Sequence, residues 1–106
     1  MPYDIILAPE AIGDLKRLKP NWRSAVKDAM ETHLRHEPEK VSRSRIKRLR
    51  GLSQPQYRLR VDEVRVFYDV SETKVEVLAV IPKSETEAWL AQFGKPEPQK
   101  KSPSQK

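Results

Sequence analysis

Tyr57-Arg58-Leu59-Arg60-Val61-Asp62-Glu63-Val64-Arg65-Val66-Phe67-Tyr68-Asp69-Val70 alternates with period two on either side of an acidic dipeptide, the pattern of a β-hairpin. With Asp62-Glu63 as a two-residue turn, Val61 stands opposite Val64, Arg60 opposite Arg65, Leu59 opposite Val66 and Arg58 opposite Phe67. Leu59, Val61, Val64, Val66 and Tyr68 then share one face, the only contiguous apolar surface of the hairpin, and that face must be buried. A slip of one residue would turn the arginines inward, so the apolar alternation fixes the register. The reverse face carries Arg58, Arg60, Arg65 and Phe67. Like charges directly across a strand pair destabilise by up to about 1 kcal/mol, a cost that an anionic ligand offsets. Three guanidiniums beside an aromatic ring describe a phosphate clamp with a stacking surface, which suits single-stranded RNA. The competing reading is a solvated face neutralised by Asp69 and Glu76.

Upstream, Tyr3 to Leu7 is short, apolar and β-branched, a strand followed by Pro9 at a helix start. Ala11, Ile12, Leu15 and Leu18 recur at helical spacing up to Pro20, which opens a second helix from about Asn21 to His36. Together these make a helical hairpin. His33 and His36 at its end lack a third ligand nearby and read as helix-surface residues rather than a metal pair. A basic loop leads to a short strand near Ile46 to Leu49, and Gly51 to Gln56 reads as a turn. Downstream, Val75 to Ile81 is apolar nearly throughout, as in a strand covered on both faces, and is expected at the sheet centre. Pro82 closes it, Ser84 is placed to cap a last helix containing Ala88, Trp89, Leu90 and Phe93, and Gly94 ends that helix. The expected fold is α+β: an N-terminal strand and helical hairpin packed on a mostly antiparallel four-stranded sheet, with a short C-terminal helix. The domain is expected to span 1–94, with a disordered basic tail over 95–106.

The 106 residues suffice for one domain with a single small core. Absence of cysteine and of a basic, apolar N-terminal leader points to a cytoplasmic protein; no run approaches the roughly 20 apolar residues of a membrane span. With no cysteine and two histidines, no metal or other cofactor is expected. Of the net charge of +6, residues 1–39 contribute −1, residues 66–106 nothing, and residues 40–65 carry nine bases against Asp62 and Glu63. Seven of those nine are arginines, suited to bidentate phosphate contact. A polyanion is the natural partner, and Lys47, Arg48 and Arg50 are expected to bind substrate together with Phe67.

The strand-helix-helix start, Leu49-Arg50-Gly51, Tyr57-Arg58-Leu59-Arg60, Val64-Arg65-Val66-Phe67-Tyr68, a further strand, and a basic residue six before an aromatic (Lys83 and Trp89) follow in an order and spacing that resembles the RelE/ParE superfamily of toxins from type II toxin-antitoxin modules. The likeness runs over residues 3–93 and is closer to the RelE-like mRNA interferases. It implies a ribosome-dependent endoribonuclease with mRNA and ribosome as partners, an acidic antitoxin, and Arg58, Arg60, Arg65, Lys83 and Trp89 as active residues. The RelE pattern has Arg and Tyr where this chain has Lys83 and Trp89.

RNA is cut without metal when the 2′-OH attacks the adjacent phosphate, given in-line placement, charge cancellation and proton transfer. The three arginines supply the first two. Arginine does not give up its proton, so the proton work is expected of Lys83, its pKa depressed by neighbouring arginines. Indole offers only an N–H donor; Trp89 either stacks a base or packs the last helix on the sheet. The alternatives are a ParE-like gyrase-binding toxin without nuclease activity and a catalytically dead RNA-binding or antitoxin-titrating protein.

Overall fold

The hairpin forms in the register that its alternation requires. In a computed structural model, which describes residues 2–98, β4 (Tyr57–Val61) pairs antiparallel with β5 (Val64–Val70) through Val61–Val64, Arg60–Arg65, Leu59–Val66, Arg58–Phe67 and Tyr57–Tyr68. Asp62 holds the turn in the left-handed region at φ 52°, a conformation that aspartate tolerates better than most side chains.

The remaining elements are β1 (Asp4–Leu7), α1 (Pro9–Arg17), α2 (Pro20–Leu34), β2 (Ile46–Arg48), β3 (Leu52–Gln54), β6 (Lys74–Pro82), α3 (Thr86–Phe93) and β7 (Lys95–Pro96). The N-terminal strand joins the sheet, which therefore has five strands in the order β1-β6-β5-β4-β2, with only β1 and β6 parallel. The strand expected at the centre, β6, is interior, and β5 is the middle strand.

Leu59, Val61, Val64, Val66 and Tyr68 are buried together with Ala11, Leu15 and Leu18 on and just after α1, and with Val26, Met30 and Leu34 of α2. Full burial of each aliphatic side chain contributes about 1.5–3 kcal/mol. Prolines at the first turns set both helices. Arg23 closes the corner between them by donating from Nε to the Leu15 carbonyl at 2.9 Å, which also accepts the Leu18 N–H, and from Nη2 to the Leu18 carbonyl at 2.8 Å. Tyr68 stacks on Tyr57 at 5.5 Å and donates its hydroxyl to the buried Pro38 carbonyl at 2.7 Å.

Strand β6 is apolar nearly throughout from Val75 to Ile81 because it serves two cores in succession. Its pairing with β5 shifts by one residue between Phe67 and Tyr68, so that Phe67 meets Ala79 while Tyr68 meets Val77, leaving Leu78 as the extra residue. The bulge reverses the alternation: Val75, Val77 and Val80 enter the main core, whereas Ala79 and Ile81 join Phe67 in a second cluster on the opposite face. Asp14 accepts the Val80 N–H beyond the bulge at 2.9 Å. Over the second cluster lies α3, through Trp89 and Leu90, with Leu49 beside them.

Two expectations are corrected at the C-terminal end. Ser84 makes no cap; Lys83–Glu85 form a 3-10 turn and α3 starts after Glu85 without a side-chain cap. Lys95–Pro96, expected in the disordered tail, pair with β3 inside the segment expected to be only a turn, and the Glu97 N–H bonds the Gly51 carbonyl at 3.0 Å. Residues 99–106 of that tail lie outside the described residues. Gly51 takes φ 77°, and a Cβ on Gly94 would stand 2.6 Å from the Leu90 carbonyl oxygen, so both positions require glycine.

Candidate functional site

Strand pairing places Arg58, Arg60 and Arg65 on the face turned away from the helical hairpin, in two rows. Arg60 and Arg65 continue to Ile81, and Lys47 and Arg58 continue to Phe67 and Ala79. Exposure grades across the cluster: Arg60 is exposed, Arg58 half-buried, and Arg65 only 6% exposed. Arg65 is held by donating from Nη1 to the carbonyls of Asp62 at 2.8 Å and Val64 at 3.1 Å. The guanidinium of Arg58 is half-sunk, and its Nε is buried with no hydrogen-bond partner.

Burial, then the charges of Arg65 and Arg60, depress the pKa of Arg58; burial, then Arg60, depress that of Arg65, with Glu63 opposing. Neighbouring guanidiniums thus make Arg58 and Arg65 costlier to keep charged, the electrostatic condition that a bound anion relieves. None of the ion pairs among the described residues involves the three arginines. Asp69, a candidate for neutralising this face, is committed elsewhere: it accepts from Gln54 Nε2 at 2.6 Å and from the Gln56 N–H at 2.8 Å. Glu76 pairs with Asp69 at the same far end.

The other expected residues divide. Lys47 is exposed and lies beside Arg58 on the arginine face. Arg48 does not: one residue further along β2, it faces the other way, its guanidinium 5.3 Å over Tyr57 and its Nη1 donating to the Gln56 carbonyl at 2.9 Å. Arg50 is exposed in the turn after β2. Phe67, expected to stack on a base, is fully buried beneath Trp89, the rings 5.2 Å apart and 14° from parallel; it has no face to offer. Between the two readings of Trp89, the stack on Phe67 and a tilted contact with Phe93 at 5.5 Å make it the residue that packs α3 on the sheet. Lys83 sits at the sheet's end, its N–H bonded to the Glu63 carbonyl at 2.7 Å, beside a hollow lined by Trp22, Glu63 and Ser84. The charges acting on Arg58 are those of Arg65 and Arg60, and those acting on Arg65 are Arg60 and Glu63; Lys83 is not among them.

Sequence reading missed Arg45, whose carbonyl accepts the Arg60 N–H at 2.9 Å and which therefore adjoins Arg60 across the sheet. Counting back from Ile46, the core residue of β2, would have found it. Among the described residues no group of three or more His, Asp or Glu side chains could hold a metal, and no helix is long and apolar enough to cross a membrane.

Residues 5–87 match the family described as the ParE toxin of the type II toxin-antitoxin system, parDE. Among solved structures, a chain of the RelBE2 toxin-antitoxin complex from Mycobacterium tuberculosis is similar at TM-score 0.64 and 27% identity, covering 77% of this chain and 99% of that one. A chain of the archaeal RelE-RelB complex from Pyrococcus horikoshii is similar at TM-score 0.64 and 21% identity, covering 78% and 97%. YoeB from Staphylococcus aureus is similar at TM-score 0.58 and 16% identity, covering 74% and 94%. No curated protein matches the sequence at a significant level.

Proposed function

This chain belongs to the ParE toxin family of type II toxin-antitoxin systems, within the RelE/ParE superfamily, and from that premise we propose that it is a metal-independent endoribonuclease that cuts mRNA on the ribosome and so inhibits translation in the cytoplasm. The observation that carries the reading is the arginine face: three guanidiniums in register, none ion-paired among the described residues, one with a buried Nε lacking an acceptor there.

A phosphodiester seated there gains charge-assisted hydrogen bonds from groups already fixed by strand pairing, so little reorganisation is needed as charge builds on phosphorus. The 2′-oxygen forms a bond to phosphorus while the bond to the 5′-oxygen breaks, giving a 2′,3′-cyclic phosphate and a free 5′-hydroxyl. One proton leaves the 2′-OH and one reaches the departing oxygen. Arginine holds its protons too tightly for that exchange, which leaves Lys83, two residues beyond Ile81, Arg65's partner on β6, as the proposed proton carrier. Trp89 acts only by holding α3 in place.

The partner that silences the toxin is proposed to be an acidic antitoxin, its charge complementary to residues 40–65. Purified chain added to programmed ribosomes, with mRNA 5′ ends mapped, is expected to give internal cuts that vanish in Arg60→Ala. A second reading, gyrase inhibition without cleavage, gains weight from the matched family's description and from the lack of a phenol on the arginine face, Tyr68 being buried on the core side. Uncut mRNA together with inhibited DNA supercoiling would establish it in place of the nuclease.

A further inference from the structure

Where α2 ends against β2, a hollow of about 230 Å³ is lined by His33, His36, Glu37, Lys40, Ser42 and Arg45 among others. Its wall is built rather than incidental. Ser42 Oγ accepts the N–H groups of Arg45 at 3.0 Å and Ile46 at 3.2 Å, and the Ser42 N–H returns to the Ile46 carbonyl at 3.0 Å. This tight turn presents Arg45 between the hollow and Arg60, to which its backbone is bonded. Neighbouring strands lie about 4.8 Å apart, so cationic positions run without a gap from Arg65 through Arg60 and Arg45 to the hollow. There Lys40 and the two imidazoles face one carboxylate, Glu37, which pairs with Lys40 at 3.7 Å.

We propose that this hollow is a second phosphate-binding site, which takes the backbone of single-stranded RNA as it leaves the arginine face over the β2 edge. The inference rests on the RNA reading given above. A phosphate there displaces Glu37 from Lys40 and favours the protonated form of His33. Burial, then Arg45, hold the His33 imidazole below its ordinary value, and a bound anion opposes both effects. The charged groups around the imidazoles are Lys40 and Arg45 as cations and Glu37 as a carboxylate in the hollow, with Glu31 of α2, paired with Arg35, close enough to interact with His36.

The test measures binding of the full chain to 2′-O-methyl RNA, which lacks the attacking hydroxyl, at lengths of about four and about twelve nucleotides, a range that brackets common single-strand site sizes. Lys40→Gln and His36→Gln are expected to bind the short RNA as the parent does and the long RNA several-fold more weakly. For Lys40→Gln the slope of log affinity against log salt should shrink by about 0.7, the value of one phosphate contact on a single strand. Glu37→Gln should tighten the long RNA, and the parent's affinity for it should rise as pH falls through the histidine range, a rise reduced in His33→Gln. Variants that bind both lengths like the parent overturn the second site while leaving the arginine face standing. A parent that binds neither length overturns both. Unchanged RNA affinity with weakened binding of polyglutamate overturns the proposal in favour of an acidic protein partner.

Discussion

On one face of the β4–β5 hairpin Leu59, Val61, Val64, Val66 and Tyr68 are all buried under the helical hairpin; on the other, the same strands carry a buried ring, Phe67, and guanidiniums that run from buried Arg65 to exposed Arg60. Alternation assigns side chains to faces but leaves open what covers each face. The main-core face is closed along its length. The reverse face is divided, its aromatic part roofed by α3 and its arginine part left open. That division gives the charge pattern the form of a candidate site, because α3 and the bulged strand β6 stand beside guanidiniums that form no ion pair among the described residues.

If the division is right, substitutions on the reverse face separate into stability effects and activity effects. The largest change is expected from Phe67→Ala, which should destabilise the fold by about 3–5 kcal/mol in urea unfolding, as for other buried aromatics. A cost below about 1 kcal/mol, within the scatter of surface substitutions, would return Phe67 to the ligand surface. Next is Arg60→Ala: cleavage on ribosomes should fall by about 10²–10³-fold, the loss seen when one transition-state donor is removed, with the melting temperature unchanged because Arg60 is exposed. Loss of folding in that variant would erase the distinction. A smaller effect, on the closed face, is expected of Tyr68→Phe, which leaves the Pro38 carbonyl without its donor and should cost about 1–2 kcal/mol while leaving RNA affinity untouched.

The smallest effect concerns pH. The His33 imidazole is held below its ordinary 6.5, first by burial and then by Arg45, so the unfolded chain takes up the proton more readily than the folded one. Its contribution to stability is full above the ordinary value and declines as pH falls through it. His33→Gln should flatten the stability profile over that interval; an unchanged profile would place His33 in a solvent-like setting.

How much of this the sequence disclosed depended on whether a local period or a tertiary contact decided the outcome. The register of β4 and β5, the turn at Asp62-Glu63 and the main-core face follow from alternation alone. So did the gathering of Arg58, Arg60 and Arg65. The bulge at Leu78 left no trace, because an apolar residue is welcome on either face of a strand covered twice. Burial of Phe67 was hidden for a related reason: it depends on α3 docking across the sheet, which no period in β5 reports. Arg48 and Arg45 were legible by counting from Ile46, yet a three-residue strand gives too short a pattern to enforce the count. With three and two residues, β3 and β7 are no longer than β2, and pairing alone defines them.

The roof over Phe67 also sets an order of opening. No residue of α3 is fully buried, and beneath it the second cluster holds three buried side chains against fifteen in the main core. The chain beyond α3 returns through β7 to the Gly51 turn, so α3, β7 and β3 form one contiguous unit with few buried contacts, the kind that unfolds at lower free energy than the rest. Amide hydrogens at Gly94 and Glu97, bonded to Leu90 and Gly51, should exchange with solvent through this partial opening, whereas those of β5 should wait for the whole molecule to unfold. A toxin built this way keeps its arginines in place on the slow-exchanging strands while the wall beside them comes and goes.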